Sequence, residues 1–269
     1  MCDSANWDET EMMKWFNRRG KVLVFEHSLS FAPILAHHYC MKLAHSLGIV
    51  VAIAALSGFK SDDTFSLKQT YKKDDVAIFM QSLHISAEDS EVEMEMKTQD
   101  KVLNVADDGA YEIEETLLSG TFKFNGEEQA MEKREPKSSK YDKEGKKVKI
   151  EGENDEQNDP IALVIEDVFD YEPKAAVKVG ETWKHEGDYG TMTLTLEAKE
   201  KVGDIDCLKV TVKGKLDKKD TSGDVSATFY IRESDFSPEK MEGKIENPKL
   251  DADSPAMKKI EIKMTRVKE

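Results

Sequence analysis

Apolar and charged residues alternate along most of the chain from Thr64 onward. Val92, Met94 and Met96 stand between charged residues at positions 91, 93, 95 and 97. Because successive side chains of a β-strand point to opposite faces, this spacing predicts a strand with one apolar and one charged face. The same spacing predicts further strands around Tyr111 and Ile113, Phe122 and Phe124, Met192, Leu194 and Leu196, Leu208, Val210 and Val212, Val225, Ala227, Phe229 and Ile231, and Ile260, Ile262 and Met264.

Short turn sequences separate these predicted strands. Each contains a glycine, and they lie at 107–109, 125–126, 143–145, 202–204 and 222–224. Such turns are typical of hairpins. Strands of a buried parallel sheet would be apolar on both faces, so the alternation favours an antiparallel sheet. We therefore predict a mainly β fold of the α+β class, with a curved antiparallel sheet or half-barrel and one short helix on its apolar face.

The predicted helix occupies residues 159–169. Asp159 is a good N-cap, Pro160 suits the first helical position, and Pro173 prevents extension beyond the segment. Apolar residues follow at helical spacing, namely Ile161, Ile165, Val168 and Phe169. A short apolar helix has to bury its apolar side chains, so we expect it to pack against the apolar face of the sheet.

Two stretches contain almost no apolar residues. Residues 127–140 and 151–158 are rich in charged and polar side chains. Segments of this composition cannot bury enough apolar surface to order themselves, so we expect solvated loops.

The segment 41–60 has the layout of a secretory signal peptide. A positive charge at Lys42 precedes an apolar run at 47–56, and small residues allow cleavage after Ala54 or Ser57. The apolar run is about half the length of roughly 20 residues that a membrane-spanning helix needs. We expect residues 1–40 to be an extension outside the folded protein, either from a wrongly assigned start or as a long n-region. Residues 62–269 then form a single β-rich domain, secreted or periplasmic.

The net charge of the chain excludes some classes of binding partner. The net charge is −15, and such a field repels phosphate backbones and anionic lipid headgroups, so we expect no nucleic-acid partner.

Cys207 is the only cysteine after the cleavage region, which excludes an intramolecular disulfide in the mature chain. Because its neighbours Ile205 and Leu208 are apolar, we predict that the Cys207 side chain is buried and acts as a small hydrophobic group.

The sequence gives little sign of catalysis. After residue 60 the chain has two histidines, His84 and His185, and neither lies near a serine or cysteine in a strained turn. The glycines fall singly at turns, without a phosphate-binding pattern. We expect no catalytic residues and no cofactor. The sequence does not exclude a Ser/His/Asp triad formed by residues distant in the chain, nor a catalytic pair of carboxylates.

The segment 155–166 has the length of a calcium-binding loop. Its sixth position, where a sharp turn normally requires glycine, is Pro160. We therefore expect no metal site in this segment.

The apolar face is the candidate binding site. Methionine adapts its shape, so a concave face rich in methionine and phenylalanine could hold an acyl chain or a partner's apolar segment. Ordinary core packing explains the same residues. Met80 is also expected on this face, and the predicted ligand-binding residues are Met94, Met96, Phe122, Phe124, Met192, Leu194 and Phe229.

Three short motifs carry a resemblance to known proteins. Val-Gly-Glu-Thr-Trp at 179–183 leads into a long amphipathic strand, Tyr-Asp-Lys-Glu-Gly-Lys at 141–146 precedes the helix, and Tyr-Lys-Lys-Asp-Asp-Val at 71–76 is a fainter copy of the strand entry. With these motifs, residues 64–268 resemble uncharacterised exported bacterial β-rich proteins, similar in layout to the lipoprotein-carrier half-barrel of the periplasm. The resemblance implies an open curved sheet with a helix packed inside. No motif matches the carrier position for position, so its lipid-binding residues are not transferred.

Three classes of function follow in order of preference. The first is an exported, non-catalytic protein that binds a hydrophobic ligand or a cell-envelope partner on its curved sheet. The alternative is a structural or interaction module of the envelope with a filled core and no ligand. A hydrolase comes third, because a nucleophile elbow and metal-ligand spacing are missing from the sequence.

Overall fold

The computed structural model describes residues 63–143, 145, 147–148, 164–165, 168, 173, 175–250 and 257–268. Within these residues the chain forms antiparallel strands and almost no helix, so the predicted mainly β fold is confirmed. The strands are β1 (Thr64–Phe65), β2 (Val76–Ala87), β3 (Glu91–Val105), β4 (Tyr111–Phe124), β5 (Glu127–Ala130), β6 (Lys137–Tyr141), β7 (Val177–Lys178), β8 (Thr182–Glu186), β9 (Gly190–Val202), β10 (Ile205–Leu216), β11 (Ser222–Arg232), β12 (Pro238–Lys249) and β13 (Met257–Val267).

Eleven of the described strands form one large sheet. Its order is β5-β4-β3-β2-β13-β12-β11-β10-β9-β8, with β6 also paired to β4 beside β5. Most neighbours are consecutive in the chain, and the exceptions are the pairing of β2 with β13 and that of β4 with β6. The described strands do not close into a barrel, so the sheet is an open one with edges at β5, β6 and β8.

The local sequence explains the tight hairpin between β4 and β5. Asn125 and Gly126 join β4 to β5, and both have positive φ, 47° and 87°. A two-residue type I′ turn requires this conformation at both positions, and its twist matches that of the flanking strands. The turn predicted at 125–126 is therefore confirmed.

A second, two-stranded sheet is formed by β1 and β7. Thr64 lies opposite Lys178 and Phe65 opposite Val177. Phe65 and Val177 are both buried and belong to the main core. This small sheet therefore holds two segments that precede β2 and β8 together across the apolar face.

Part of the predicted helix falls within the described residues. Val164, Ile165 and Val168 are helical and belong to the same buried cluster as the apolar face of the sheet. This agrees with a helix packed on that face. The other residues of 159–169 lie outside the described residues.

The prediction of a solvated loop at 127–140 is wrong in part. Residues 127–130 form β5, β6 begins at 137, and Met131 between them is buried in the core. The outer edge of β4 offers backbone N–H and C=O groups, and a polar segment can pair with them whatever its side chains. The structure of residues 127–130 and 137–140 is therefore set by backbone pairing with β4. Such pairing does not require apolar and polar residues to alternate, so the sequence does not indicate it.

Several sequence predictions lie outside the described residues. These are the extension at 1–40, the signal peptide at 41–60, the loop at 151–158 and, apart from Val164 and Ile165, the segment 155–166. Within the described ranges, none of the helical segments has the length and apolar character needed to cross a membrane.

Candidate functional site

The apolar face of the sheet forms one continuous buried cluster. It includes residues of β2, β3 and β9 to β13, together with Phe65, Leu67, Ile165 and Val177 from outside the large sheet. In the described part of the chain, seven methionines belong to this cluster, namely Met94, Met96, Met131, Met192, Met241, Met257 and Met264. A cluster this rich in methionine can adjust its packing, because the side chain is unbranched and flexible.

Met80 is an exception, and its predicted position on the apolar face is wrong. Its side chain is 42% exposed. Phe79 and Gln81 are buried on either side of it, and neighbouring residues of a strand face opposite ways. Met80 is therefore on the charged face.

The structure places the seven predicted ligand-binding residues on one face but in two groups. The first group lies on β3 and β4, where Met94 is directly opposite Phe122. The second lies on β9 and β11, joined through Val210 and Val212 of β10. Four strand spacings separate β3 from β11, which is about 19 Å along the sheet. The first group comprises Met94, Met96, Phe122 and Phe124, and the second Met192, Leu194 and Phe229.

The two groups differ in solvent exposure. Phe122 and Phe124 are only partly buried and pack against the cluster from the β4 side. The other five residues are at most 2% exposed, namely Met94, Met96, Met192, Leu194 and Phe229. A ligand can therefore reach the centre of the face only if the residues covering it move aside.

Two polar side chains lie at the β8 edge of the apolar face. Trp183 is directly opposite Leu194, and His185 is opposite Met192. Trp183 Nε1 and His185 Nε2 are buried and have no hydrogen-bond partner among the described residues. The indole N–H can only donate, and His185 Nε2 donates in one tautomer and accepts in the other. A buried polar atom without a partner costs about 1–3 kcal/mol, so each is a site where a ligand atom would be favoured.

A third polar side chain lies at the middle of the face. Gln81 is 2% exposed and lies opposite Met96 and Met264. Its Nε2 donates to Thr98 Oγ1 at 3.0 Å, whereas Gln81 Oε1 has no partner in the described part of the molecule. Gln81 and Thr98 interrupt the apolar inward positions of β2 and β3, a signal that was available in the sequence.

Three tyrosines stack beside the main core. The ring of Tyr111 lies 4.1 Å from that of Tyr71 and 4.9 Å from that of Tyr141, measured between centroids. Burial raises the pKa of Tyr71 and that of Tyr141, so both hydroxyls stay protonated at neutral pH. Tyr71 and Tyr141 are the first residues of two of the three resemblance motifs. The structure therefore assigns these positions a packing role against β4, which the sequence did not indicate.

The cysteine and the two histidines considered as candidates for catalysis lie apart from one another in the sheet. Cys207 is fully buried, as predicted, and burial raises the pKa of its thiol to about 11. His84 lies on the charged face of β2, where its ring nitrogens contact two glutamates. His185 lies on the apolar face of β8, six strand positions away from β2 in the sheet order.

The fold defines a class but not a family. The described chain is a mainly β protein whose open antiparallel sheet carries one apolar and one charged face. No family model matches the chain, and the search of curated proteins finds no similar sequence. A fold of this class hosts many functions, so only the chemistry of the site indicates which one this chain performs.

Proposed function

We propose that this is an exported, non-catalytic protein that binds a hydrophobic ligand with one polar end on the apolar face of its sheet. The observation that carries the proposal is a pair of buried atoms, Trp183 Nε1 and His185 Nε2, which lie beside Leu194 and Met192 and have no hydrogen-bond partner in the described ranges of the chain. Both atoms can donate a hydrogen bond. The polar end of the ligand is therefore an acceptor, such as the carboxylate of a fatty acid.

The lining of the face supports an apolar chain next to that polar end. Met192 and Leu194 directly neighbour the two donors, and Phe229 continues the same face through Val210. These side chains offer apolar contact on the scale of an acyl chain. Methionine can repack around a ligand of variable shape at little cost. Entry requires displacement of covering residues such as Phe65, Ile165 and Val177.

A structural or interaction module with a filled core is the second candidate. The burial of five of the seven predicted ligand-binding residues favours it. In that case the same side chains act only as core, and the charged face carries any contact with an envelope partner.

The binding experiment uses Trp183 as its own reporter. In the full chain with Trp7→Phe and Trp15→Phe, Trp183 is the sole tryptophan. Titration with laurate is expected to change its fluorescence saturably. His185→Phe is expected to weaken binding about 10–150-fold, because a lost hydrogen bond to a charged group costs about 1.5–3 kcal/mol.

Lys184→Ala is the matched control, because Lys184 is exposed on the opposite face of the same strand and the variant should bind laurate like the parent. Native mass spectrometry of protein from its own secreted fraction gives a second readout. A co-purifying lipid supports the proposal. A clean apo mass together with an unresponsive Trp183 would favour the filled-core module.

Export is tested separately from binding. The composition of residues 41–60 supports removal of a signal peptide near Ser57. N-terminal sequencing of the secreted protein is expected to begin between residues 55 and 63. A mature chain that retains Met41 would refute export by this signal.

A further inference from the structure

A histidine and several carboxylates meet on the charged face of the sheet, on the side opposite to the proposed ligand site. His84 of β2 is directly opposite Glu93 of β3 on one side and Glu261 of β13 on the other. Glu91 lies two residues from Glu93 and therefore on the same face. The β2–β3 hairpin and the distant strand β13 thus bring these four side chains together.

The ligand-capable atoms are close enough to share one ion. His84 Nε2 lies 2.6 Å from Glu91 Oε1. One such atom from each of His84, Glu91 and Glu93 lies within 4.8 Å of the other two. These residues are partly exposed, with 29% of the His84 side chain and 45% of that of Glu93 accessible, so an ion can reach them from solvent.

The opposite side of the imidazole is held in place. His84 Nδ1 lies 3.2 Å from Glu261 Oε2, and that carboxylate oxygen also lies 3.0 Å from Lys259 Nζ. Each ring nitrogen of His84 therefore faces a carboxylate in the metal-free protein. With Nδ1 donating to Glu261, an ion that replaces the proton between Nε2 and Glu91 binds the lone pair of Nε2. Metal-binding histidines in proteins commonly have such a carboxylate partner.

We propose that His84 Nε2, Glu91 and Glu93 bind a divalent transition-metal ion of the zinc class. One imidazole and two carboxylates are ligands that zinc accepts, and three protein ligands leave a coordination position for water. Calcium and magnesium prefer oxygen ligands alone, so the histidine disfavours them. The proposal concerns the charged face and does not depend on the ligand proposed for the apolar face.

The surrounding charges can accommodate the ion. Lys123 Nζ lies 3.5 Å from Glu93 and 3.3 Å from Glu128. When an ion binds Glu93, Lys123 retains Glu128 as its partner. The net charge of −15 also raises the local concentration of cations around the protein.

Isothermal titration with Zn²⁺ tests the site in the full chain. The cysteines and histidines before residue 46 also bind zinc, so all of them are replaced in the parent. The replacements are Cys2→Ser, Cys40→Ser, His27→Gln, His37→Gln, His38→Gln and His45→Gln. One equivalent of Zn²⁺ is expected to bind. His84→Gln and Glu93→Gln are each expected to weaken binding at least tenfold, and Glu261→Gln by about 10–100-fold as a positioning residue.

Glu95→Gln is the matched control. It removes one carboxylate from the same face of the same strand but lies outside the cluster, so it should leave zinc affinity within about twofold of the parent. Unchanged melting temperatures of the metal-free variants exclude unfolding as the cause of a loss. Absence of zinc binding by the parent, or full affinity in His84→Gln and Glu93→Gln, would overturn the assignment.

Discussion

At the scale of single residues, buried polar groups are the most informative features of this molecule. Cys207, Gln81 and Thr98 are all at most 2% exposed. Gln81 and Thr98 satisfy one another in part through their hydrogen bond, whereas the Cys207 thiol behaves as an apolar group. Burial raises the pKa of that thiol to about 11 from the ordinary value of 9.0.

This pKa shift predicts a loss of stability at alkaline pH. Between pH 9 and 11 the unfolded chain loses the Cys207 proton, whereas the folded chain keeps it. The unfolded state then binds fewer protons, so the free energy of unfolding falls as the pH rises through this range. The expected contribution is about 1–2 kcal/mol, since one pKa unit corresponds to about 1.4 kcal/mol.

Urea denaturation at pH 8 and pH 10.5 measures the effect, comparing the Cys2→Ser, Cys40→Ser chain with the same chain carrying Cys207→Ala. The decrease in unfolding free energy is expected to be smaller in the Cys207→Ala protein. Equal decreases in the two proteins would show that Cys207 does not contribute.

At the scale of elements, the sheet needs a cover for its apolar face. The described strands supply one continuous layer, and residues outside the large sheet complete the buried cluster. Val164, Ile165 and Val168 are helical and at most 1% exposed. The helical segment is therefore part of the core and not an attachment to its surface.

Ile165→Asp is expected to destabilise the protein by about 3 kcal/mol or more, because it places an uncompensated charge in a packed apolar core. Thermal unfolding followed by circular dichroism measures the change. Val179→Asp is the matched control, since Val179 is 45% exposed and should unfold close to the wild-type temperature. An unchanged melting temperature for Ile165→Asp would reject the packing of this segment on the sheet.

At the scale of the whole molecule, β13 connects the two parts of the sheet. It lies between β2, the first long strand, and β12, and it contributes Met257, Ile260, Ile262 and Met264 to the core. Pairs such as Leu83 with Ile262 join residues far apart in the chain. Closing such long loops carries an entropic cost that only the assembled core offsets.

Removal of residues 257–269 is therefore expected to abolish cooperative folding. The truncated chain would leave two long strand edges unpaired and part of the core exposed to water. Urea denaturation followed by circular dichroism is expected to lose its sigmoidal transition. A truncated protein that still unfolds cooperatively would show that β2 to β6 and β8 to β12 are stable without the connecting strand.

The sequence by itself indicated β3, β4, β9, β10, β11 and β13, their apolar face and their antiparallel arrangement. These properties follow from a period of two residues and from local turns, which any short window of sequence contains. The same local pattern gave the Asn125-Gly126 hairpin. It could not choose between Phe79 and Met80, because both are apolar and the inward position two residues later is the polar Gln81.

Only the tertiary structure decided which side chains meet. The stacking of Tyr71, Tyr111 and Tyr141 and the contact of His84 with Glu261 both depend on the register between strands that are distant in the chain. The edge strands β5 and β6 also depend on it, because backbone pairing with β4 leaves no side-chain pattern in their own sequence. Register is set by the assembled core as a whole, and no local stretch of sequence contains the identity of its distant partner.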